Sequence, residues 1–256
     1  MIGWSNGSGL RPRRRMSLGA LLTALAVLTG AALLERLEVL PAGTVERLLG
    51  REPKRAAYRV PPIPPDAERI DVALVEGWLT RIPMVAEKQR GYRREEWSHW
   101  LDLNGNCRDT RNEVLIRDSL SPVQLSSDGC HVLHGRWRDP YTGEEFRNPH
   151  DMDIDHRVPL DEAHDSGGHA WDRDRRAAYA NDLSDRRTLV TVSAVSNRAK
   201  GAKGPDAWLP PDRTQLCRYV ADWVAVKLRW QLAMDRPERA AVDTVLAGCR
   251  APLPRR

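Results

Sequence analysis

Residues 151–171, DMDIDHRVPLDEAHDSGGHAW, and residues 186–211, RRTLVTVSAVSNRAKGAKGPDAWLPP, decide how this chain is read. The first stretch holds Asp151, Asp153, Asp155 and His156 together and follows them with a proline, a Gly-Gly turn and more acids and histidines. The second reads as a β-strand over Thr188 to Ser193, rich in β-branched residues, that leads into a short helix carrying Asn197, Arg198 and Lys200. The order is strand, long loop, strand, helix.

These residue types suit one reaction. Hydrolysing a phosphodiester takes a base near neutrality, a divalent cation to offset charge at phosphorus and on the leaving oxygen, and cations to hold the flanking phosphates. His156 suits the base, because an unperturbed imidazole titrates near 6.5. Asp155 and the amide oxygen of Asn197 are hard ligands for Mg²⁺, and so sparse a shell leaves positions for waters and phosphate oxygens. Arg198 and Lys200 sit where they can clamp the backbone. Either piece alone is weak: an Asp-His pair occurs by chance on surfaces, and SNRAKG by itself reads as a turn with a solvated basic face. In order, with the strand-to-helix pattern, they are far more specific.

Outward from this core, DAERIDVALVEGWL from Asp66 has helical spacing of apolar residues and reads as a packing helix. Trp97 and Trp100 read as core. Gly129 to Phe146, with the turn signal DPYTG, predicts a β-hairpin. At the far end Leu216, Val220, Trp223, Val224 and Trp230 share one side of a helix, and RPERAAVDTVLAGC makes a second.

The four cysteines, Cys107, Cys130, Cys217 and Cys249, contain no C-x-x-C pair, so a zinc knuckle is disfavoured and disulfides fit. Of three possible pairings, Cys107–Cys130 and Cys217–Cys249 are favoured because each brackets a compact unit. Each loop, of about 20–30 residues, contributes on the order of 3 kcal/mol.

The N-terminus agrees with export. RPRRR, within a basic segment 1–15, precedes residues 16–34, MSLGALLTALAVLTGAALL, which carry no charge. Nineteen residues at about 1.5 Å each give a helix of roughly 28 Å, close to the hydrocarbon thickness of about 30 Å. A retained anchor and a cleaved signal both fit, and either sends the rest of the chain out of the cytoplasm. Residues 35–65, rich in proline and mixed charge, read as a linker, and 66–256 as the folded domain, with its motif core at 150–210. The formal charge of +5 argues for nothing in bulk, since Arg11, Arg13, Arg14 and Arg15 supply four of the positives. Any case for a polyanion rests on a local site. The 41% hydrophobic and 29% charged composition excludes a disordered chain, and no repeat is visible.

From about Gly91 to Cys249 the chain resembles a known family. DIDHRVPL, GG and then NRAKG look like the motif of HNH, or His-Me finger, endonucleases, and the whole stretch is similar to the GmrSD C-terminal-domain type with its exported members. GYRREEWSHW, CRDTRNEVLIRDSL, GCHVLHGRWRDPYTG, AAYANDL and CRYVADWVAVKLRW belong to the likeness. The resemblance implies an α+β fold with a ββα-metal core, flanking helices and a hairpin, one divalent cation (Mg²⁺, or Mn²⁺) and endonucleolytic cleavage. His156 matches the general base, Asp155 the metal-binding acid before it, and Asn197 the helix residue that completes the metal site. Attack by water in line then leaves a 5′-phosphate and a 3′-hydroxyl.

Two departures from the pattern matter. The middle asparagine that fixes the loop holding the base falls on Thr188, so either Thr188 does less of that work or Asn181 or Asp182 takes it over. The zinc cysteines of many such proteins are missing, with Ser193 and Ser196 near their place, so packing or disulfides must hold the finger. Arg111 and Glu113 in TRNEVL match a family motif and read either as site-lining, with Arg111 on phosphate, or as a structural ion pair. His164 and His169 read as exposed loop residues.

The expectation is an extracytoplasmic nuclease, membrane-anchored or secreted, acting on DNA or also RNA with little sequence preference, because no reading helix or basic stripe is evident. The alternatives are a DNA-binding module without turnover and a small-substrate metal-dependent phosphodiesterase. The chain names no protein partner, and touches membrane only through an uncleaved N-terminal segment.

Overall fold

Met152–His156 alternates in sequence and pairs antiparallel with Leu189–Ser193, Met152 opposite Ser193 and His156 opposite Leu189. These strands are β5 and β6 of a computed structural model that describes residues 60–64 and 66–250. The span read at 16–34 and most of the linker at 35–65 lie outside the described residues. Among those described, no helix is long and apolar enough to cross a membrane.

The remaining elements precede and follow this ribbon. Helix α1 (Val72–Leu79) starts where Asp71 accepts from the Leu74 amide, an N-cap that meets one of the helix's unpaired donors. Asp109 does the same for α2 (Thr110–Asp118). Two small sheets follow: β1 (Gln124–Leu125) with β2 (Val132–His134), and β3 (Trp137–Arg138) with β4 (Glu145–Phe146). After β5 come α3 (Leu160–Asp165) and α4 (Arg173–Ala180), and after β6 come α5 (Ala194–Lys200), α6 (Leu216–Trp230) and α7 (Arg236–Cys249).

Three expectations need correction. The hairpin over 129–146 is divided between two sheets: the DPYTG turn joins β3 to β4, but β2 pairs backward with β1. Gly135 sits at the break, where a Cβ would lie 2.5 Å from the Trp137 ring. The folded unit begins before Asp66, since Val60 and Ile63 pack on the core and a Cβ on Gly248 would meet Ile63 at 2.6 Å. Trp97 is fully buried as expected, but Trp100 is only half-buried and takes a left-handed φ of 60°.

The main core joins α1, α6 and α7, with Leu79, Val220, Trp223, Val224, Val242 and Val245 inside it. A second cluster fills the space between α2 and the ribbon with Val114, Leu115, Met152, Ile154 and Leu189. β5 therefore presents one face to α2 and the other to α5. The disulfides are Cys107–Cys130 and Cys217–Cys249, the second of which fastens α6 to α7.

Candidate functional site

Side chains alternate across a strand, so Asp153 and Asp155 leave β5 on one face and Ile154 and His156 on the other. Helix α5 covers the acidic face. Its own start is set by Ser193, whose hydroxyl accepts from the Ser196 amide. Asp139, in the β3–β4 turn, accepts from the Ser193 amide and the Ser196 hydroxyl. The strand-to-helix corner is thus held by a buried carboxylate, not by cysteines.

On this face the Asn197 amide donates to Asp153 at 3.0 Å, and both residues are half-exposed. One turn later Lys200 is fully buried and donates to the Asp155 carboxylate at 2.8 Å and to the His156 carbonyl at 2.9 Å. The other Asp155 oxygen accepts from the Tyr141 hydroxyl at 2.6 Å. Burial pushes the Lys200 ammonium below its usual range, with Asp155 opposing that shift, and holds the Tyr141 hydroxyl well above its own.

On the opposite face the His156 ring lies between Tyr179 and Trp100, each with its ring centroid 6.0 Å away. His156 is 6% exposed, and burial holds its imidazole down at about 4. It is neutral at pH 7. Its Nε2 sits 3.0 Å from the Ala180 carbonyl, which accepts only from a protonated nitrogen, so Nδ1 carries the free lone pair.

Three residues expected to orient the base act one step away from it. Asn181 follows Ala180, accepts from the Leu101 amide and Thr110 hydroxyl, and donates to the Ser98 and Ala177 carbonyls. Thr188 donates to Asp182 at 2.9 Å, closing the end of the loop onto the start of β6. Together Asn181, Asp182 and Thr188 fix the carbonyl that fixes His156.

Several sequence expectations stand differently in space. Asp155 and Asn197 are not brought together as a ligand pair, since Asn197 reaches Asp153 and Lys200 occupies Asp155. Lys200 is a buried partner and not a phosphate clamp. Arg111 donates to the Pro149 and Met152 carbonyls, bracing the entry to β5 rather than facing a phosphate, and Glu113 accepts from Asn106. Arg198 remains exposed, with no partner among the described residues. His164 is buried against Tyr92 instead of exposed. Sequence reasoning missed Tyr141 and Asp139, whose signal was only that both sit in the DPYTG turn.

The hard oxygens of the acidic face suit a divalent cation. Those open to one are the Asp153 carboxylate and the Asn197 amide oxygen, while an ion on Asp155 would meet the Lys200 ammonium. Calorimetric titration with Mn²⁺ checks this: Asp153→Asn should weaken binding roughly tenfold or more, because the site loses its charged ligand. Equal affinity in parent and variant would remove Asp153 from the site.

A second charged centre lies away from the ribbon. Glu87, Glu162 and Glu238 bring carboxylate oxygens within 4.8 Å of one another. Lys227, fully buried, donates to Glu162 at 2.6 Å, to Glu238 at 2.8 Å and to the Ser166 hydroxyl at 2.7 Å. Burial pushes Glu238 up to about 8 and Glu87 to about 7.

The chain mixes helices with small antiparallel sheets, and its two closed disulfides fit an oxidising, extracellular setting. Its likeness to an uncharacterized secreted protein of Arthroderma benhamiae agrees: the two are 38% identical over 161 residues, 63% of this chain and 77% of that protein. The chain belongs to the family of that secreted protein. No family model and no solved structure matches it.

Proposed function

We propose that the chain is a secreted metal-dependent endonuclease of the HNH, or His-Me finger, type, hydrolysing DNA or also RNA with little sequence preference. One observation carries the reading: β5, β6 and α5 form an antiparallel pair followed by a helix, and this unit holds a neutral, tautomer-fixed histidine on one face of β5 and, on the other, an exposed arginine near a set of hard oxygens.

In this reading His156 Nδ1 takes the proton from the attacking water, and the Nε2 bond to Ala180 keeps the ring in the basic tautomer as it becomes charged. Arg198 holds a flanking phosphate. Asp153 and Asn197 would hold a divalent cation, which when bound would supply positive charge to offset that on the leaving oxygen. Lys200 and Tyr141 keep Asp155 in place and thereby hold β5 against α5.

The test is product chemistry on an end-labelled oligonucleotide with Mg²⁺. Scattered internal cuts bearing 5′-phosphate and 3′-hydroxyl ends support the reading; no cuts, or cyclic-phosphate ends, contradict it. A second reading, a nucleic-acid-binding module without turnover, is favoured by the burial of His156 on the face opposite Asp153. It predicts oligonucleotide binding that survives while no cut appears.

A further inference from the structure

A cavity of about 410 Å³ runs along the outer edge of β6, at Val190 and Thr191, between the end of α2 and the flank of α6. Its size falls within the roughly 300–1,000 Å³ usual for ligand sites. Its walls are unusual in charge. Five guanidinium groups line it, from Arg138, Arg157, Arg186, Arg187 and Arg218, against three carboxylates, Glu68, Asp118 and Asp222. The surplus is two positive charges.

Arg187 is taken up by Asp185, which lies just outside the lining, but the carboxylates do not use up the exposed arginines. Arg138 is exposed and has no partner among the described residues. Arg186 is 71% exposed and reaches Asp118 only at 3.4 Å. Arg218 leans on Glu68 and Asp222 from a half-exposed position. Arg157 is 4% exposed and reaches Asp222 through Nη2 at 3.4 Å, but its Nε–H has no acceptor among the described residues. A buried donor without an acceptor is rare in folded proteins, and guanidinium groups are strong, directional partners for phosphate oxygens.

Arg157 also ties the groove to the candidate site. Its Nη1 donates to the Tyr141 hydroxyl at 3.1 Å, and that hydroxyl donates to Asp155. It follows His156 directly in the chain, so the groove's wall is continuous with the end of β5 that carries His156.

We propose that this groove binds the phosphate backbone of a nucleic-acid strand, holding it at positions beyond the bond that is cut. The assignment rests on the nuclease reading for its choice of ligand. Three exposed arginines, Arg138, Arg186 and Arg218, around one strand edge fit a run of phosphates better than a single small anion.

The test is binding, measured apart from cleavage. Full-length chain is titrated against a fluorescent single-stranded 20-mer with chelator present, from low to moderate salt, reading anisotropy. Arg138→Glu/Arg186→Glu is compared with Arg173→Glu/Arg236→Glu, which changes net charge equally at exposed positions outside the groove. The groove variant should bind at least tenfold more weakly, with the salt slope reduced by about 1.4 for two lost phosphate contacts on a single strand. The control should keep the wild-type slope. Equal losses in both variants, no loss in either, or no binding by the wild-type chain would overturn the groove. Cleavage is read separately on the same samples with Mg²⁺ restored. Groove-dependent binding without any cleavage leaves the groove standing and removes the nuclease; cleavage with unchanged affinity in the groove variant does the reverse.

Discussion

Replacing Asp155 by asparagine is expected to destabilise the folded chain by about 3–5 kcal/mol, a large share of the roughly 5–15 kcal/mol typical of a domain. Asp155 is 4% exposed and is the carboxylate partner of Lys200, which has no exposed surface. The amide keeps the shape of the carboxylate but leaves an ammonium buried without its counter-charge. That imbalance is the source of the loss, rather than the intrinsic strength of the pair. The double variant Asp155→Asn/Lys200→Met should therefore recover most of the stability, because it removes both charges. Urea midpoints of the three proteins at constant slope check this. A single-variant shift below about 1 kcal/mol, or no recovery in the double, would mean that the pair is solvated and that β5 is not held to α5 through it.

The second large effect is expected at Lys227. Here one ammonium lies against both Glu162 and Glu238, with Glu87 close by and Ser166 completing the shell. Lys227→Met should cost a similar 3–5 kcal/mol, and adding Glu162→Gln, which removes the other carboxylate against the ammonium, should return part of it. The parent chain carries its own pH signature. Both raised carboxylates start from an ordinary value of 4.5 and reach about 8 for Glu238 and about 7 for Glu87. A raised carboxyl stabilises the fold in its protonated form, so this contribution is full below about 4.5 and is lost as pH climbs through 7 and 8. Thermal midpoints of the parent should fall between pH 6 and pH 9. In Glu238→Gln, the fall should be smaller. An equal fall in both proteins would place the effect elsewhere.

Much of the fold was legible because its signals are local. The β-branched run into SNRAK gave β6 and α5, the apolar spacing after Asp212 gave α6, and the loop lengths between cysteines gave both disulfides. The division of the 129–146 hairpin was not legible, since it depends on how closely Gly135 passes the Trp137 ring. At the site, sequence order identified His156, Asp155, Asn197 and Arg198 but not their pairing. A strand alternates its faces, so the neighbours Asp155 and His156 part company. A helix turn then places Asn197 beside Asp153 and Lys200 beside Asp155. Lys200 looked like a surface cation because charge alone does not reveal a buried partner 45 residues away. Arg111 looked like a phosphate ligand for the same reason, its carbonyl partners being 38 and 41 residues distant.

The most direct measurement is the nicking of supercoiled plasmid by the full-length, disulfide-intact chain with Mg²⁺, with Mn²⁺ and with chelator, beside His156→Ala. Nicking that needs the metal and falls at least a hundredfold in the variant, with oligonucleotide binding retained, is the predicted result. Undiminished nicking in His156→Ala, or none by the folded parent under any metal, would contradict it.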